Sequence, residues 1–100
     1  MLDLSQIVGF DWDDGNSLKS ADKHAVSQVG AEQVFADNRC LIADDVRHSQ
    51  AEVRHHALGR TFENRLLHVT FTLRDNRTKI RVISARDGNR KERGLYGREA

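Results

Sequence analysis

The sequence predicts an α+β fold: two helices near the N-terminus packed on an antiparallel β-sheet, with a further helix at the C-terminus. Three observations carry that expectation. Apolar residues recur at helical spacing between about residues 14 and 36, the period changes to alternation from about residue 40, and helical character returns after Asp87-Gly88-Asn89. Side chains repeat every 3.6 residues on a helix and every two on a strand, so a change of period marks a change of element.

Ile7 to Trp12 alternates enough for a short strand, with Val8, Phe10 and Trp12 on one side. Asp13 or Asp14 then caps a first helix running to about Lys23, where Leu18 and Ala21 stand three apart. Ser27 supplies a second N-cap, and Val29, Ala31, Val34 and Phe35 form an apolar stripe up to Ala36, stopped by Asp37-Asn38. A strand from about Cys40 to Asp44, a turn around His48-Ser49-Gln50 and a strand from about Glu52 to Arg60 follow.

Thr61 to Arg65 has the composition of a hairpin connection. Leu67, Val69, Phe71 and Leu73 then alternate with Leu66, His68, Thr70 and Thr72, the clearest strand of the chain. Asp75-Asn76 turns it into a strand from Thr78 to Arg86, with Ile80, Val82, Ser84 and Arg86 on one face and Arg81, Ile83 and Ala85 on the other. Together these predict an antiparallel meander. Arg90 to Glu99 is the last helix, weakened by Gly94 and Gly97.

One hundred residues suit a single domain, expected to span 1–100. With 38% hydrophobic and 31% charged residues, the core is modest and the surface highly charged. The net charge of +1 argues against coating nucleic acid by bulk charge, but the signs are segregated. Asp3, Asp11, Asp13 and Asp14 lie near the start, whereas Arg74, Arg77, Lys79, Arg81, Arg86, Arg90, Lys91, Arg93 and Arg98 crowd the last third. The lone Cys40 forms no internal disulfide, and no run is long and apolar enough to span a bilayer, so a soluble cytoplasmic protein is the expectation.

Five histidines invite a metal reading, yet they match no zinc spacing, and His55 and His56 are strand neighbours facing opposite ways. No metal and no cofactor is therefore expected. The chemistry that suits these residues is metal-independent RNA cleavage, in which the ribose 2′-hydroxyl attacks the adjacent phosphate. It needs a base, an acid and fixed cations for the transition state, roles that histidine and arginine fill near neutral pH. The candidates are Lys23, His24, His48, Glu52, Arg54, Arg81, Arg86 and Tyr96. Each has a plainer role: Lys23 and His24 complement a helix C-terminus, Glu52 and Arg54 pair on a strand, Arg90 to Arg93 form a solvated helix face, and Tyr96 seals the last helix.

Phe10-Asp11-Trp12-Asp13, Lys23-His24-Ala25-Val26, Val34-Phe35, His48-Ser49 with Glu52 and Arg54, Leu58-Gly59-Arg60, and Ile80 to Arg86 with Glu92 and Tyr96 together resemble the BrnT toxin family. The resemblance implies a RelE-like ribonuclease fold and a type II toxin that cleaves RNA and arrests growth. It further implies neutralisation by a BrnA-type ribbon-helix-helix antitoxin, with operator DNA reached only through that antitoxin. On this basis His24 or Glu52 is the expected proton acceptor, Arg60, Arg81 and Arg86 hold phosphate or transition-state charge, and Tyr96 stacks or transfers a proton. Lys23, Arg54, Arg90, Lys91 and Arg93 are expected to contact RNA. The competing classes are a non-catalytic module acting within an antitoxin and operator-DNA complex, and a metal-binding histidine protein.

Overall fold

The computed structural model describes residues 4–13, 25–45 and 52–99. Their elements are β1 (Gly9–Phe10), α1 (Gln28–Ala36), β2 (Leu41–Asp45), β3 (Arg54–Arg60), β4 (Leu66–Arg74), β5 (Lys79–Asp87) and α2 (Arg90–Glu99). The strands form one five-stranded sheet in the order β1-β5-β4-β3-β2.

Helix α1 begins where its sequence places it. The Ser27 hydroxyl accepts the Gly30 N–H at 3.0 Å, satisfying one of the donors that a helix start leaves over. Asp37 ends the helix in extended conformation. Ala31 and Val34 are buried, with Phe35 packed beside them, whereas Val29 is 61% exposed and drops out of the expected stripe.

α1 lies on one face of the sheet, over Ala57, Leu67, Val69, Phe71, Ile80, Val82 and Ala85. Phe10, Phe35 and Phe71 meet edge to face in a row, with centroids 5.7 and 4.9 Å apart. Full burial, as at Phe71, stabilises the fold by about 1.5–3 kcal/mol per large side chain. Gly59 permits the close seat of the helix: a Cβ there would stand 3.0 Å from the Val34 carbonyl oxygen and 3.2 Å from Asp37 Oδ2.

Two features depart from the expected architecture. The sheet is mixed, because β1 runs parallel to β5, Gly9 opposite Lys79 and Phe10 opposite Ile80. Two helices are found among the described residues, one in mid-chain and one at the C-terminus. The expected fold, two N-terminal helices on an antiparallel sheet, is therefore corrected to a mixed five-stranded sheet with, among the described residues, one mid-chain and one C-terminal helix. The reason lies in β1, whose two residues carry no pattern that reveals direction; Val8 N–H to the Thr78 carbonyl and Asp11 N–H to the Ile80 carbonyl fix it as a parallel edge. The first helix expected over 14–23 and the turn at 48–50 fall outside the described residues.

The remaining pairs, β2 with β3, β3 with β4 and β4 with β5, are antiparallel, as the meander predicts. Strand β5 differs in one respect. Thr70 stands opposite Ser84 and Phe71 opposite Val82, so Ile83 is an extra residue, a β-bulge. Beyond it the alternation is shifted by one. Ile80, Val82 and Ala85 face the core, and Arg81, Ser84 and Arg86 share the opposite face, where strict alternation would have separated Arg81 from Arg86.

α2 covers one end of this second, outer face by packing Tyr96 on Leu58 and Leu66. Asn89 and Glu92 form a reciprocal capping box at its start: Glu92 N–H donates to Asn89 Oδ1 at 2.8 Å and Asn89 N–H to Glu92 Oε1 at 2.9 Å. Gly88 lets the preceding turn hug β4, since a Cβ would lie 2.8 Å from Leu66 Cδ2.

Candidate functional site

The outer face gathers two histidines, an arginine and a carboxylate. Cross-strand register sets His56 opposite Thr70, His68 opposite Arg86, and Thr72 opposite Arg81, so these side chains leave the sheet on the same side. The His56 and His68 rings lie 4.7 Å apart and tilted by 42°. His56 is held at both nitrogens, by Thr70 Oγ1 at 3.1 Å and by Asp45 Oδ2 at 3.1 Å.

Glu92 reaches this face from α2. Its carboxylate takes a two-pronged bond from Arg86, at 2.8 and 3.0 Å, and lies 3.6 Å from His68 Nε2. Burial and the Arg86 charge push His68 below the ordinary histidine value. Both effects favour the neutral imidazole, beside a guanidinium held by Glu92. Glu92 itself is lowered: burial opposes its charge, and the bonds from Arg86 and the Asn89 N–H outweigh that cost.

The sequence-predicted residues separate into groups. Arg86 sits at the histidine cluster. Arg81 lies on the same face, four β4 residues away or about 13 Å, and donates to Asp13 at 2.7 Å and Asp11 at 3.5 Å. Glu52 is paired with Arg74 at 3.0 Å, and Arg54 stands opposite Asp45 at the start of β3.

Arg60 and Tyr96 form a further group. The guanidinium lies 5.3 Å over the tyrosine ring, and the Tyr96 hydroxyl donates to Asp37 Oδ2 at 2.6 Å. Asp37 also accepts the N–H groups of Arg60 and Arg39, at 2.9 and 3.0 Å. These bonds hold its carboxyl below the usual range despite burial, while burial and the bond to Asp37 push the Tyr96 phenol up. Arg90, Lys91 and Arg93 are exposed on α2. Lys23, His24 and His48 fall outside the described residues.

The segregated charge of the sequence is thus largely paired in space. Arg81 meets two N-terminal aspartates, and Arg65 meets Asp87 at 2.6 Å. His56, His68 and Thr70 were not among the candidates. A signal existed: the hairpin over Thr61–Arg65 sets Arg60 opposite Leu66, and counting back from it gives His68 opposite Leu58 and Thr70 opposite His56. Among the described residues no cluster of three or more His, Cys, Asp or Glu has the arrangement of a metal site. Among them also, no helix is long and apolar enough to cross a membrane.

Fold and site together define a small α+β protein whose sheet presents imidazoles and a fixed arginine on its open face. Residues 12–92 match the family described as ribonuclease toxin, BrnT, of type II toxin-antitoxin system, and the chain belongs to that family. Membership implies an RNA target and an antitoxin partner. The structure resembles the crystal structure of the Brucella abortus ribonuclease toxin BrnT with a TM-score of 0.62 at 16% identity, over 83% of this chain and 99% of that one. At that identity the likeness is one of fold. No curated protein is similar enough in sequence to match.

Proposed function

We propose that the chain is an endoribonuclease that cuts RNA in the bacterial cytoplasm without a metal, through attack of a ribose 2′-hydroxyl on the neighbouring phosphate, and so arrests growth. The observation that carries this reading is His68 set opposite Arg86 on the outer sheet face, 3.6 Å from the Glu92 carboxylate. In the reaction the base takes the 2′-hydroxyl proton and the oxygen bonds to phosphorus. The 5′-oxygen then leaves with a proton from the acid, giving a 2′,3′-cyclic phosphate and a 5′-hydroxyl.

Arg86 holds the phosphate and offsets the charge that grows on its oxygens, with Arg81 and Arg60 binding flanking phosphates. His68 joins His24 and Glu52 as a proton acceptor, and is favoured because its own surroundings keep it unprotonated. Tyr96 serves this site by holding α2 in place through Asp37. Arg54 and Lys23, with Arg90, Lys91 and Arg93 of α2, steer RNA toward the sheet. A BrnA-type ribbon-helix-helix protein is the proposed antitoxin, and operator DNA is contacted through it.

Purified protein incubated with naked RNA in the presence of chelator tests the reading. Wild type is expected to cut, Arg86→Ala to be inactive, and His68→Ala to be slower by about 100-fold or more, with circular dichroism confirming that each variant is folded. Intact RNA with wild type, or equal cleavage by the Arg86→Ala protein, would sink the proposal.

A further inference from the structure

A second surface lies beyond the histidine cluster. The end of α1, the Thr61–Arg65 hairpin and Tyr96 border an open cleft of about 550 Å³. Its wall carries two cations, Arg39 and Arg60, two amides, Asn38 and Asn64, and one exposed aromatic ring, Phe62. Phe62 is 76% exposed, leaving its ring face open to a ligand. Its backbone is nevertheless fixed, because its N–H donates to Gln33 Oε1 of α1 at 2.9 Å.

The Arg60 guanidinium is fixed as well. Arg60 lies over the Tyr96 face and donates one of its five N–H groups to the Asn64 carbonyl at 2.8 Å. Asp37, the acidic group of the cleft, already accepts Tyr96, Arg60 and Arg39, and Glu63 of the same hairpin lines the groove on the hairpin's other side. The cleft is therefore left with net positive charge, amide groups and an exposed aromatic ring.

We infer that this cleft is a binding subsite for a single-stranded RNA nucleotide away from the scissile bond, with its base stacked on Phe62 and its phosphate on Arg39 and Arg60. Stacking on an aromatic ring combined with cations along the backbone is how proteins hold single strands without reading sequence. The anchoring side chains of protein partners cluster in well-packed, desolvated pockets, whereas this wall is mixed in polarity and open to solvent. Position supports RNA too. Glu92, at the Arg86 centre, and Tyr96, at the cleft, are four residues apart on α2, about 6 Å along its axis. One strand of RNA is long enough to occupy both.

This inference rests on the ribonuclease reading, and the experiment separates the two. The probe is a fluorescein-labelled single-stranded RNA of about twelve nucleotides, 2′-O-methylated to block cleavage, titrated with the full chain; cleavage of the unmodified RNA runs in parallel. Phe62→Ala is expected to weaken binding by about 10-fold while Phe62→Tyr stays close to wild type. Arg39→Gln is expected to flatten the slope of log affinity against log salt by about 0.7. If wild type cuts RNA yet Phe62→Ala binds as tightly as wild type, the subsite is wrong and the ribonuclease reading stands. If wild type neither binds nor cuts, both fail. A Phe62→Ala protein that binds RNA normally but escapes neutralisation by its co-expressed antitoxin would overturn the inference and place a protein in the cleft.

Discussion

Replacing Glu92 tests how α2 is joined to the sheet. Its carboxylate closes the capping box with Asn89 and binds Arg86 through both oxygens. Glu92→Ala removes both connections, while Glu92→Gln keeps an acceptor for the Asn89 N–H and loses the charge. The capping box contributes about 1 kcal/mol. The Arg86 pair, with the arginine side chain 38% exposed and the glutamate 16%, adds at most about 1 kcal/mol. The alanine variant should therefore lose about 2 kcal/mol and roughly 8–16 °C in Tm, and the glutamine variant less than half of that.

The pH dependence sharpens the test. Glu92 titrates lower in the folded chain than when unfolded, so its contribution is present above the unfolded value and disappears as pH falls through the folded one. Urea unfolding of the three proteins at pH 7 and pH 3 measures this. Wild type should lose more stability on acidification than either variant. Equal Tm values for the alanine and glutamine proteins would show that the cap contributes nothing, and identical acid sensitivity in all three would refute the ionic link to Arg86.

Two further outcomes follow from the same geometry. Tyr96→Phe removes the bond to Asp37 while keeping the ring on Leu58 and Leu66, and should cost about 1.5 kcal/mol, or roughly 6–12 °C in Tm; an unchanged Tm would mean that the buried ring alone seats α2. His68 binds its proton less readily folded than unfolded, so stability should fall as pH drops from about 6.5 toward the folded value and level off below it. A His68→Gln protein should lack that component, and an equal slope in both between pH 7 and pH 5 would argue against it.

Much of this arrangement was legible because local chemistry decides it. Ser27 and the apolar Ala31, Val34 and Phe35 announce α1; the alternation from Leu66 to Leu73 announces β4, since that strand has one buried face and one polar face. β1 was not legible as a parallel edge, because direction is set by hydrogen bonds to β5 rather than by its two residues. The candidate site divides in the same way. Arg86 stood out by charge, whereas His56 and His68 become neighbours only through cross-strand register. The shared face of Arg81 and Arg86 depends on one unpaired residue, which no period of two reveals.

That unpaired residue, Ile83, separates the strand into two reading frames. Every position before it and every position after it obeys alternation, yet the two frames disagree about which side is solvent. The apolar set Ile80, Val82 and Ala85 is kept inside by the same offset that brings Arg86 outside. If Ile83 were kept but paired as an ordinary strand residue, alternation would turn Ser84 and Arg86 toward the core and Ala85 toward solvent. The positive charge beside His68 thus depends on the bulge in β5 as well as on the identity of residue 86.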